Sequence, residues 1–387
     1  MNILVISDSY KGSKTSKEVN QYIKEGIKIE YPKYNIKTVQ IADGGEGSLE
    51  AIKEVIDANF QYVDTINPIG ESIKGKYLLT KDRKTAIIEI ANFSVLTTID
   101  KEKINILKST TYGSGILIKD ALDKNVEKIY ICLGGSGTND CGIGLSNALG
   151  AKFLDKNKKE VKANLENLHK IKSIDLRNFD NRVNNVEFKC LSDVKNPLCG
   201  PNGATKVYGP QKGIKKSQIE KIDRDMYEYG RLLEDTFNKN IINVKGAGAA
   251  GGLGACLLSF TNCEILNGGD EILKILKVEK LIENSDLIIT GEGFLDNQSL
   301  NGKLIERVTK LSKKHNKIIY ALVGSFELNK ELMDNLHKIG FDGIFTCVTK
   351  PMTIDDAIEN TEENIINASR NLIRIYSSIN DKSPSYK

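Results

Sequence analysis

Four times along this chain a short β-branched run gives way to a glycine-rich polar loop and then to a stretch of helical periodicity. That order is the grammar of a parallel α/β sheet. Residues 3–6 lead into SDSYKGSKTS and a helix near 17–29, and residues 37–41 lead into ADGGEG and a helix from Ser48. Residues 129–133 lead into GGSGTNDCG and a helix through Leu149, and residues 287–289 into TGEGFLDNQSLNGK and a helix through Lys314. Strands at 318–323 and 343–348, with a helix at 331–338 between them, extend the set.

Other stretches obey a different rule. Residues 62–91 read as successive extended segments with the turns NPIGE and TKDRK, and 153–161 as a hairpin. A chain of 387 residues holds two domains or three. The fold class expected is therefore α/β: a Rossmann-like parallel-sheet domain from 1–60, 105–151 and 278–387, with a mixed α/β domain from 61–104 and 152–277 inserted into it. The tail from Ser378 is expected to be disordered.

Charge and cysteine usage exclude several classes. Lys and Arg total 55 against 51 Asp and Glu, interspersed, so a net +4 does not imply nucleic-acid binding. No apolar run approaches the ~18 residues of a spanning helix, which predicts a cytoplasmic protein without a membrane partner. Seven cysteines, never spaced CxxC, give neither a disulfide framework nor a zinc site. The three histidines lie in Lys-rich, helix-like surroundings, so a histidine triad or HExxH centre lacks support.

In an open parallel sheet every strand-to-helix loop leaves from the carboxyl edge, so the four glycine-rich loops are expected to converge. Each offers backbone N–H groups at a helix start, where the dipole favours an anion. The same loops carry Asp8, Asp43, Glu46, Asp140, Glu292 and Asp296, with Lys11 and Lys303 adjacent. Anion-binding backbone beside carboxylates suits a magnesium nucleotide, because the metal bridges phosphates and takes oxygen ligands. In FKCLSDVKNPL an apolar run ends at Asp193, with Asn196 beyond, which places a candidate proton acceptor at a strand end.

Two motifs compete with this reading. GESIKGKY (70–77) nearly fits a Walker loop, but Tyr77 replaces the hydroxyl residue that would hold magnesium, and the setting is a hairpin. GAGAAG (246–251) fits GxGxxG after the extended run 241–245, which keeps an NAD-dependent dehydrogenase open. No clear second strand ending in an acid follows, so the βαβ unit is incomplete.

The sequence resembles the bacterial glycerate kinase family of the glycerate 2-kinase type almost from end to end. The resemblance rests on SDSYKGS (7–13), ADGGEGS (42–48), TTYGSG (110–115), GGSGTND (134–140), SDVKNPLCG (192–200), YGPQKG (208–213), GAGAAGGLGA (246–255) and ITGEG (289–293). It implies transfer of the ATP γ-phosphate to D-glycerate, usually at the 2-hydroxyl to give 2-phosphoglycerate. It further implies ATP and Mg2+ as cofactors and an active site in a cleft between the two domains.

Carried over by motif, Asp193, Lys11 and Asp8 are the catalytic candidates, and Ser9, Ser13, Asp43, Glu46 and Asn196 those for substrate. Gly134, Gly135, Ser136, Thr138, Asp140, Gly291 and Lys303 are the candidates for nucleotide phosphate, and Glu292 and Asp296 for the metal. The partner implied is a small molecule, and the chain a monomer or homodimer. Four places depart from the family pattern: Phe294 stands for a usual Arg, Cys141 for a usual Gly, Leu304-Ile305 for Ala-Pro or Val-Pro, and ANFSVL (91–96) for a run of smaller residues. The first removes a guanidinium that binds oxyanions as a fork. It leaves open a kinase for another small hydroxy-acid, and a nucleotide-binding protein without turnover is a further alternative.

Overall fold

The computed structural model describes residues 1–41, 47–93, 105–297, 304–327, 330–348 and 350–380. The chain divides into two compact units, Met1–Ala42 with Leu273–Lys387, and Asp43–Ile272. The first unit opens with β1 (Asn2–Val5) and β2 (Asn35–Thr38), which pair in parallel across the helix Ser16–Glu30. Thr15 and Glu18 form a reciprocal capping box at that helix start.

The second unit contains β3 (Ala58–Ile66), β4 (Ser72–Thr80), β5 (Thr85–Glu89), β6 (Lys128–Cys132), β7 (Lys152–Leu154), β8 (Ser173–Asp175), β9 (Glu187–Leu191) and β10 (Glu264–Leu266). Its main sheet has the order β10-β9-β6-β5-β4-β3, parallel from β5 through β10 and antiparallel from β3 to β5. β7 and β8 form a separate antiparallel pair.

The chain then returns to the first unit with β11 (Leu287–Thr290), β12 (Phe294–Leu295), β13 (Ile318–Val323), β14 (Ser325–Phe326) and β15 (Gly343–Thr346). The first sheet is thus β15-β13-β11-β1-β2, parallel throughout. Its core is sealed by helix packing: Val19, Ile23 and Ile27, at helical spacing, are fully buried together with Ile365, Leu372 and Ile373 of the helix Thr361–Asn380. A side chain at Gly26 would run into the Ile366 carbonyl, so the two backbones approach closely there.

The domain boundaries read from sequence need correction. Residues 105–151 belong to the second unit, because β6 lies in register with β5 on one side and β9 on the other. Residues 43–60 belong there too, and 273–277 to the first unit. The expected convergence of four loops on one sheet is corrected with it, since the loop after β6 leaves from the other sheet. The final helix also continues through Asn380, past the expected start of disorder at Ser378.

The two competing motifs resolve structurally. GESIKGKY covers the turn into β4 and β4 itself, where Tyr77 is fully buried and donates to Asp120 at 2.7 Å. No strand precedes GAGAAG, and residues 242–248 form turns. Gly246 and Gly248 donate their N–H groups to the Asn196 carbonyl at 3.2 and 3.0 Å. A side chain on Gly248 would strike Pro197, and one on Gly251 would strike Thr138. These glycines exist for backbone packing, and the dehydrogenase reading loses its basis.

Candidate functional site

At the carboxyl edge of the first sheet, the loop after β1 is tied to the loop after β11. The Asp8 N–H donates to the Gly291 carbonyl at 2.8 Å, and the Thr290 hydroxyl to the Ile6 carbonyl at 2.9 Å. Asp8 folds its carboxylate back on the Ser9 N–H at 2.6 Å. A tight turn follows, with the Ser13 and Lys14 N–H groups both donating to the Tyr10 carbonyl. Tyr10 is buried and anchors the turn through its hydroxyl on the Leu322 carbonyl at 2.9 Å, which leaves Lys11 exposed at the tip. Burial, with the nearby Cys347 and Glu292, drives the Tyr10 phenol well above its ordinary pKa. Ser13 is turned toward the helix Thr361–Asn380, sharing a hydrogen bond with the Thr361 hydroxyl at 2.7 Å. Gly291 and the buried Glu292 follow β11, Phe294 is 54% exposed on β12, and Asp296 is half-buried beyond it.

At the carboxyl edge of the second sheet three neighbouring strands each deliver an acid, and every one of them meets a helix start. Glu89 ends β5 and accepts from the Leu49 and Gly47 N–H groups at 3.0 and 3.3 Å, at the head of the helix Ser48–Val55. Asp140 follows β6 and accepts from the Gly142 and Gly144 N–H groups at 3.1 and 3.3 Å, at the head of Ile143–Ala148. It also holds the Thr111 N–H and hydroxyl at 2.8 and 2.9 Å. Asp193 follows β9 and accepts from the Gly268 and Gly269 N–H groups at 3.0 and 3.5 Å, at the head of Gly268–Ile275.

Two of the helix starts expected to receive a ligand anion, those of Ser48–Val55 and Ile143–Ala148, thus receive carboxylates of the chain itself, where the dipole stabilises them. Asp140, fully buried, ties the Thr111 segment to the start of Ile143–Ala148. Burial pushes its carboxyl above the ordinary range against the pull of its hydrogen bonds. Cys141, where the family has glycine, adopts φ 55°, the left-handed conformation that glycine takes without strain.

Burial pushes Glu89 up to about 7, although both N–H donors oppose it. A folded-state pKa above the unfolded one means that the folded chain binds the extra proton. The associated stability, about 3 kcal/mol, is present below the ordinary carboxylate pKa and lost as pH rises through about 7. Glu89→Gln is therefore expected to flatten the fall in melting temperature between pH 5 and pH 8, and parallel profiles for variant and wild type would contradict this.

The loop after β6 has a different character. Gly135 takes φ 70°, and the loop then dives inward, burying Ser136, Gly137 and Thr138. Their N–H groups find no protein acceptor among the described residues. The Thr138 hydroxyl and the Asn139 side-chain oxygen, both buried, also lack a partner. Beneath the loop lies Lys212, 5% exposed, whose ammonium donates to the Ser136 hydroxyl at 2.9 Å and to the Thr138 carbonyl at 2.8 Å. Desolvation lowers its pKa to about 8. Thr110, Thr111 and Ser114 border a small cavity shared with Gly137 and Thr138, so the TTYGSG stretch meets this loop.

Asn196 is half-buried and occupied at both ends: it donates to the Asn202 carbonyl at 2.7 Å and accepts from the Tyr208 hydroxyl at 3.0 Å. It shapes the loop after β9 that carries Asp193. Asp43, Glu46 and Lys303, with residues 94–96 of the altered small-residue run, lie outside the described residues.

For a magnesium ion, the oxygen donors Asp8, Glu292 and Asp296 stand on the tied loops after β1 and β11, which is the donor chemistry Mg2+ takes. They do not gather into a three-carboxylate cage. The one three-group cluster of ligand type among the described residues is Glu279, Glu283 and His315. Magnesium on a nucleotide uses one or two carboxylates, phosphate oxygens and water, so Glu292 and Asp296 fit without a cage.

The molecule is thus an α/β protein whose second sheet fixes carboxylates at helix starts and carries a donor-rich glycine loop over a buried lysine. The sequence model of the glycerate kinase family matches residues 3–377, and the chain belongs to that family. It is 36% identical over 372 residues to the glycerate 2-kinase of Escherichia coli, covering 96% of this chain and 97% of that one. It is 35% identical over 373 residues to the glycerate kinase of Halalkalibacterium halodurans, covering 96% and 97%. A solved structure of a protein assigned as glycerate kinase 2 from Salmonella typhimurium LT2 matches with a TM-score of 0.85 at 33% identity, covering 98% and 99%. No helix among the described residues is long and apolar enough to cross a membrane.

Proposed function

We propose that the protein is a cytoplasmic kinase that transfers the γ-phosphate of ATP to the 2-hydroxyl of D-glycerate, giving 2-phosphoglycerate. The observation that carries this reading is the buried run Ser136–Thr138, whose N–H groups and Thr138 hydroxyl are unpartnered among the described residues. Unused buried donors are rare and costly, and a phosphate or carboxylate oxygen satisfies them. Family membership narrows the oxyanions to those of a glycerate kinase.

Phosphoryl transfer demands positioning and charge neutralisation more than covalent chemistry. Glu292 and Asp296 would hold Mg2+, which when bound supplies charge neutralisation at the phosphates. Lys11, exposed at the tip of a rigid turn, contacts the transferring group, with Asp8 and Ser9 orienting the same loop. The Ser136–Thr138 donors hold oxyanion oxygens. Asp193, exposed and accepting the Gly268 N–H through Oδ1, aligns the attacking hydroxyl and takes its proton.

Phosphorus NMR of the product made from ATP and D-glycerate tests the choice of hydroxyl. A 2-phosphoglycerate resonance is expected, and 3-phosphoglycerate would overturn it. A second reading, a kinase for another small hydroxy-acid, rests on the exposed apolar Phe294 in place of a guanidinium. It requires higher kcat/KM on such an acid than on glycerate.

A further inference from the structure

Lys212 enters from the short turn Pro210–Lys212, between the helices Ala204–Tyr208 and Lys216–Phe237. A lysine is seldom buried without a carboxylate, because the charge loses its water and gains nothing in return. Here the ammonium meets only the Ser136 hydroxyl and the Thr138 carbonyl, and no carboxylate lies within ion-pair distance among the described residues. Asp140, the acid whose charge it feels, spends its oxygens on Thr111, Gly142 and Gly144.

The direction of these bonds matters. Because Lys212 donates to the Ser136 oxygen, the hydroxyl proton of Ser136 must point elsewhere, and it meets no protein acceptor among the described residues. The hydroxyl of Thr138, a residue 3% exposed, has no partner among the described residues either. A buried cation therefore backs a set of hydroxyl and N–H donors that have no acceptor among the described residues.

We infer that Lys212 is the positioning residue of an oxyanion subsite at Ser136–Thr138: its ammonium fixes the Thr138 carbonyl and orients the Ser136 hydroxyl toward the ligand. The oxyanion that balances the charge is a nucleotide phosphate or the carboxylate of glycerate. This inference rests on the kinase reading for the identity of the ligand, and on the geometry alone for the role of the lysine.

The test compares the full-length wild type with Lys212→Met, Ser136→Ala and the double variant. Melting temperature, kcat, the separate KM values for ATP and glycerate, and calorimetric binding of MgADP and of glycerate are measured for each. Removing an unpaired buried charge is expected to leave Lys212→Met as stable as wild type or more so. Its kcat/KM is expected to fall by about 100-fold, the scale of a lost preorganised donor. Because the lysine acts through Ser136, the two single losses are expected to be non-additive in the double variant.

A rise confined to the ATP KM with weakened MgADP binding assigns the oxyanion to phosphate, and a rise confined to the glycerate KM with weakened glycerate binding assigns it to the carboxylate. A kcat/KM within about threefold of wild type, a loss matched by an equal drop in melting temperature, or additive losses would overturn the inference. Wild-type protein without glycerate-dependent ADP release would fail the kinase reading instead, and the calorimetric titrations would still decide the role of Lys212.

Discussion

Asp193→Asn is expected to lower kcat by a few hundred-fold while leaving the melting temperature almost unchanged. Asp193 has one observed task, as a helix cap, and one proposed task, in catalysis, and this substitution separates them. Its Oδ1 accepts the Gly268 N–H at 3.0 Å and caps the helix Gly268–Ile275, a task that asparagine performs as well as aspartate. A neutral amide, however, neither takes the proton of the attacking hydroxyl nor supplies the charge that aligns it. Losing one preorganised contact of this kind costs about 3 to 4 kcal/mol in the transition state. Turnover near the wild-type rate would remove Asp193 from the chemistry and leave it as a helix cap.

The largest effect on stability is expected at Gly291. An added Cβ there would overlap the Leu322 carbonyl oxygen, which β13 holds in place and which also accepts the Tyr10 hydroxyl. The backbone of a central parallel strand must then move, and the Asp8–Gly291 hydrogen bond moves with it. Gly291→Ala is expected to cost more than about 4 kcal/mol, a large share of the ~5 to 15 kcal/mol that stabilises a typical protein. Gly12→Ala, in the loop tied to the same edge, is the control: φ is 82° and no described residue lies within 4 Å of the added methyl. Only the left-handed backbone cost of about 1 to 2 kcal/mol applies there. Urea denaturation of both variants checks the contrast, and equal midpoints would contradict it.

Much of this fold is legible in the chain. The run–loop–helix repeats locate β1, β6 and β11, and the further apolar runs locate β13 and β15, because β-branched runs bounded by glycine leave few alternatives. What the repeats cannot show is which sheet a strand joins. Residues 128–132 read like 287–290, and only pairing with β5 and β9 puts β6 in the second unit. The acids posed a similar problem. An aspartate in a glycine-rich loop reads the same whether it faces a ligand or a helix start far along the chain. Glu89 caps a helix about 40 positions earlier, and Asp193 one 75 positions later. Local spacing carries no trace of such partners. Lys212 lies in the YGPQKG stretch, but nothing in that motif separates its side chain from the many surface lysines, and only its place in the short turn between Pro210 and Gly213 sets it apart locally.

The most direct measurement is ADP release by the purified protein with ATP and Mg2+, in the presence and absence of D-glycerate. ADP formation that requires glycerate, saturates with it and yields one phosphoglycerate per ADP is the expected result. Bound nucleotide with no glycerate-dependent ADP release, or no nucleotide binding at all, would contradict the assignment of glycerate phosphorylation to this chain.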